Sequence, residues 1–135
     1  MPAVASLLFP EPTLRRSPLA VWRWWEARRL TFNLIVGTTG LGTLLIVHLL
    51  FFRPALLLTP APWLVALVYG LSANVCYSFG APVELVLERW LGRETYGVGP
   101  ALFRYGLIYS VGLTLFPIAF AAIGSIVGMI LHVVR

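Results

Sequence analysis

Aspartate and lysine are absent from this chain of 135 residues, and cysteine occurs once, at Cys76. Charged residues make up 11% of the sequence, against about 25% in soluble domains. Each shortage excludes something. A single cysteine permits no intrachain disulfide, and its place in an apolar run makes it a small packing residue. Without lysine there is no glycine-rich phosphate loop of the usual type. The run Gly37-Thr38-Thr39-Gly40-Leu41-Gly42 is glycine-rich but lies inside an apolar stretch with no strand before it. No zinc-type spacing occurs, and neither histidine lies near a nucleophile in sequence. No catalytic constellation is present, so the expectation is a protein that is not an enzyme.

Apolar residues are in excess. They form 59% of the chain, and the mean hydropathy is +0.88. A soluble fold this small has too little interior to hide so much apolar surface. The lipid bilayer is the expected solvent.

The formal net charge of +5 rests on ten arginines, five of them before residue 30. Basic balance can mark nucleic-acid binding, but these arginines flank the first apolar run, as in the positive-inside pattern of membrane proteins. No nucleic-acid partner is inferred, and no soluble small-molecule substrate. Arg15 and Arg16 follow the apolar stretch Val4 to Phe9, the reverse of a cleavable signal peptide. No lipidation motif is visible.

Residues 1–17, rich in proline and serine, read as an irregular cytoplasmic arm. Ser17-Pro18 is a helix start. The stretch 18–29 mixes Trp22, Trp24 and Trp25 with Arg23, Arg28 and Arg29, the residues of the headgroup level, and reads as an interfacial amphipathic helix. The first span is 30–52, free of charge between Arg29 and Arg53 and long enough to cross. A proline-rich hairpin leads to a second span at 63–83, with an amphipathic continuation toward Trp90. The third, 101–134, would be roughly 50 Å as one straight helix against a core of about 30 Å. It reads as one long helix kinked at Pro117, because an open turn there would leave backbone unsatisfied in lipid. Breaking it gives a four-span alternative. The fold class is therefore all-α: a polytopic transmembrane bundle of three spans, with most arginines, and the N-terminus, on the cytoplasmic side.

Few side chains could carry chemistry. Glu84 and Arg104 should lie at the cytoplasmic boundary, and a pair between them would clamp two helices. Asn33 and Asn74 are polar within spans; Asn74 is expected near mid-membrane, bonded across helices. His48 and His132 are candidate axial ligands for a haem or chlorophyll-type pigment, with Gly128 one turn before His132 leaving room for a flat ring. No other cofactor or metal is inferred. Gly106, Ser110 and Thr114 recur every four residues, and Gly124 and Gly128 continue as GxxxG, a stripe suited to close helix packing. With so few spans in the chain, part of that stripe should face another subunit.

Two motifs carry a resemblance. Trp24-Trp25-Glu26-Ala27-Arg28-Arg29-Leu30-Thr31-Phe32-Asn33 and Asn74-Val75-Cys76-Tyr77-Ser78-Phe79-Gly80, with Glu84 after it, resemble segments of a family of small bacterial inner-membrane proteins of uncharacterised function. Gly106-Leu107-Ile108-Tyr109-Ser110 is similar to their third helix. The resemblance implies a helical bundle in a bacterial inner membrane and no particular activity. The functional expectation is an accessory or structural subunit of a larger membrane complex. The alternatives are a small homo-oligomeric transporter or channel, with Ser72, Asn74 and Glu84 as its polar path, and a pigment- or haem-binding subunit using His48 or His132.

Overall fold

The computed structural model describes residues 17–90 and 98–134. The arm expected at 1–17 lies outside the described residues except for Ser17. The fold is all-α, with three helices long and apolar enough to cross a membrane and no strand among the described residues.

Helix α1 is Pro18–Leu50. Ser17, in an extended conformation, accepts a bond from Ala20 N at 3.3 Å, and Pro18 fills the first helical position, where a missing amide costs nothing. The helix ends before Arg53, held extended by the proline that follows it. Thr38 and Thr39 bond back to Leu34 and Ile35 carbonyls at 2.7–3.1 Å, the local way to satisfy a hydroxyl in an apolar helix.

The separate interfacial helix expected at 18–29 is corrected by this continuity. No breaker separates Arg29 from Leu30. The buried residues Val21, Trp25, Phe32, Val36, Thr43 and Val47 alternate steps of four and seven, which places them on one helical face. A bend at residue 29 would cut that face in two.

A short 3-10 turn, Pro54–Leu58, returns the chain. Trp63 Nε1 donates to Leu57 O at 2.8 Å and pins the hairpin. Helix α2, Pro60–Ser78, is followed after Phe79 by α3, Gly80–Trp90. Pro82 explains the break: its ring would clash with the carbonyl four residues back, which belongs to Ser78, the last residue of α2. The second span expected at 63–83 thus starts one turn earlier and is jointed near its end.

Helix α4, Val98–Val133, runs unbroken through Pro117, so the three-span reading holds over the four-span one. Helix α1 is central. It packs along α4 from Trp25 against Phe103 to Gly40 against Thr114, and it also contacts α2 and α3. A bridge joins α2 to α4: Tyr69 Oη donates to Ser110 O at 3.1 Å and lies 2.6 Å from Thr114 Oγ1. Tyr69→Phe should cost about 1 kcal/mol, measured by denaturant titration in micelles. A loss above about 3 kcal/mol would mean that Tyr69 does more than bridge.

Candidate functional site

Two places gather functional side chains. The first is a cluster at the arginine-rich end. Glu84 on α3 is 0% exposed, and its Oε2 accepts from Trp25 Nε1 at 2.6 Å. Both carboxyl oxygens lie over Gly99, so close that a Cβ there would overlap them. Gly99 is in the first turn of α4, where free amides and the positive end of the helix dipole favour an anion. The Trp25 ring lies against Gly80 in the same way. Around Trp25 stand Tyr77 at 5.3 Å and Phe103 at 6.2 Å, both edge to face. Phe32 lies 4.6 Å from Tyr77. Such ring pairs contribute about 0.5–1.5 kcal/mol each beyond area. Tyr77 Oη donates to Trp25 O at 2.6 Å, so α1 and α2 are tied at the same level.

The arginines border this cluster. Arg29 is bidentate to Glu26, at 2.9 and 2.7 Å, and its guanidinium also reaches Ser78 Oγ at 3.2 Å. Arg28 lies over the Trp24 ring at 3.8 Å. Glu84, expected opposite Arg104, bonds the Trp25 indole, and Arg104 is exposed on α4.

The second place is a groove of about 790 Å³ floored by α1 and walled by α2 and α4. Asn33 and Asn74 line one end, and His48 and Thr59 the other. Asn74 Nδ2 donates to Gly70 O on its own helix at 3.1 Å, so the expected bond across helices is not made. Asn74 lies one turn, about 6 Å, from Ser78, which Arg29 contacts. Asn33 lies one turn from Arg29 itself and forms no hydrogen bond among the described residues. Deeper in the groove Thr43, 6% exposed, keeps a hydroxyl with no partner among the described residues.

His48 Nδ1 lies 2.8 Å from Leu44 O, the geometry of an Nδ1–H tautomer with Nε2 left as acceptor. His132 is exposed in the last turn of α4. It lies about 27 Å along α4 from Thr114, whereas His48 lies about 12 Å along α1 from the facing Gly40. The two rings therefore stand at different depths. No group of three or more metal-binding side chains occurs among the described residues.

The small-residue stripe divides. Thr114 is buried against Gly40, and Ser110 O accepts from Thr114 and Tyr69. Gly106 lines a small cavity beside Phe103. Gly124 and Gly128 are exposed, and a methyl group added at either would meet nothing within 4 Å. No known family matches the chain, and no curated protein or solved structure matches it.

Sequence reasoning missed Trp25, Tyr77, Gly80, Gly99 and Tyr69 as organising residues. The four-and-seven spacing on α1 was the available signal. In a helix apolar all round, however, hydropathy does not mark the buried face. The resembling motifs are these same contacts: Trp25, Arg29 and Phe32 from one, Tyr77 and Gly80 from the other.

Proposed function

We infer that this chain is a non-enzymatic accessory subunit of a larger complex in a bacterial inner membrane, with its N-terminus in the cytosol. The arginine distribution supports the orientation, and the resemblance of the two motifs supports the bacterial setting. The observation that carries the reading is the free end of α4. Beyond Thr114, α4 continues for about 28 Å, while α1 ends about 15 Å beyond the facing Gly40. From Ile123 to Val134 every residue is exposed. No charge occurs from Tyr105 to Val134, about 45 Å of helix. Laying that length in a core of about 30 Å would need a tilt of roughly 50°, beyond the usual range for spanning helices. Cover by another protein removes the mismatch, and Gly124 and Gly128 present the close-packing face for it.

The transport alternative needs a shared polar path. Ser72 is exposed and bonded to Val68 O, Glu84 is enclosed, and Asn74 lines the groove. These separate surroundings favour the accessory reading. The different depths of His48 and His132 weigh against both serving one macrocycle in one chain.

Replacing both Gly124 and Gly128 by leucine should remove co-purifying subunits in mild detergent. It should leave the chain's own stability unchanged or raise it, by up to about 1 kcal/mol per site, since both sites are open. Recovery of the wild-type chain alone, or an undiminished partner with the double variant, would defeat the reading.

A further inference from the structure

We propose that the groove between α2 and α4 binds an uncharged glyceride-type lipid, its acyl chain along α1 and its head oxygens at Asn33 and Asn74. This goes beyond the accessory reading and does not depend on it. Depth comes first. Arg29 and Ser78 meet at one level, and the two amides lie one turn from it, Asn33 on the α1 floor and Asn74 on the α2 wall of the same groove. Asn33 has no hydrogen bond among the described residues, and Asn74 has committed one N–H to Gly70 O. An amide in an apolar groove needs a polar partner, and Asn33 has none among the described residues.

Charge selects the head. No arginine or glutamate lines the groove; His48, at the opposite end, is its one ionisable side chain of histidine or acid type among the described residues. Arg29 is already neutralised by Glu26 and directed to Ser78. A phosphate at the amides would find no counter-charge, whereas hydroxyl and ester oxygens match amide donors and acceptors. At about 790 Å³ the groove is in the range of small-molecule sites, which suits an acyl chain and its head. Gly37 and Gly70 keep the walls low, since a methyl group at either would meet nothing within 4 Å.

The test uses the full chain in nanodiscs, with a pyrene-labelled monoacylglycerol and a phosphatidylglycerol bearing the same labelled chain. Energy transfer from the tryptophans is read as each probe is added. The glyceride should saturate at one per chain and bind at least tenfold more tightly than the phospholipid. Asn33→Leu together with Asn74→Leu should weaken the glyceride about tenfold. Gly70→Leu should abolish saturation and leave the unfolding midpoint in place. Equal transfer from the two probes, absence of saturation, or indifference to Gly70→Leu overturns the proposal. A photoreactive side chain in place of Gly70 should yield a lipid adduct; a protein adduct instead makes a partner helix the occupant and also overturns it.

Discussion

Trp25→Ala should remove about 4–6 kcal/mol of stability, a large part of what a domain of this size holds. Two losses combine. The ring is 5% exposed and touches Tyr77, Phe103 and the backbone of Gly80, so its removal opens a large void. Its indole N–H is also the bond to Glu84 at 2.6 Å, and a buried carboxylate deprived of a donor costs about 1.5–3 kcal/mol. Trp25→Phe separates the two losses, keeping most of the packing and dropping the bond; about 2 kcal/mol is expected. Titration into a denaturing detergent, followed by circular dichroism, measures both. A loss below about 1 kcal/mol for Trp25→Ala would mean that the cluster does not anchor the fold. Equal losses for alanine and phenylalanine would assign the whole effect to the hydrogen bond.

Gly80→Ala and Gly99→Ala come next in size, at about 2–4 kcal/mol each by overpacking. Both Cβ atoms would fall on occupied space. One meets the Trp25 ring and the other the Glu84 carboxylate. The carboxylate is pinned by the indole and enclosed, so it has nowhere to move. The two effects differ in how they can be relieved. Trp25→Leu frees the space at Gly80, so the pair Gly80→Ala and Trp25→Leu should show a coupling of about 1–2 kcal/mol. Gly99→Ala should couple to Trp25→Leu less strongly, since Trp25→Leu unpins the Glu84 carboxylate but leaves it over Gly99. Gly42→Ala and Gly112→Ala are the controls: each site is open, and alanine there should be neutral or stabilising by up to about 1 kcal/mol. If all four alanine variants behaved alike, the close approaches at Gly80 and Gly99 would carry no energy.

The aromatic cluster and the helix starts are connected. Ser17-Pro18 starts α1, and Pro100 stands in the first turn of α4. These local signals put helix beginnings at the arginine-rich end. Glu84 then sits on one of those beginnings. In lipid there is little hydrophobic drive between helices, so specific packing and hydrogen bonds decide how they associate. The bonds Tyr77 to Trp25, Trp25 to Glu84, Arg29 to Ser78 and Tyr69 to Ser110 are among those that relate the helices to each other.

Composition and charge-free length by themselves determined that the chain is helical and spans a membrane, because a bilayer demands about 20 apolar residues per crossing and internally satisfied backbone. Proline and serine placed several helix ends, because their effects on the backbone are local. Tertiary structure alone decided that Glu84 meets Trp25 and Gly99, that Asn33 and Asn74 share a groove, and which small residues stay open. Those outcomes depend on the rotation of each helix about its own axis. In a helix apolar on every side, only contact with its neighbours sets that rotation.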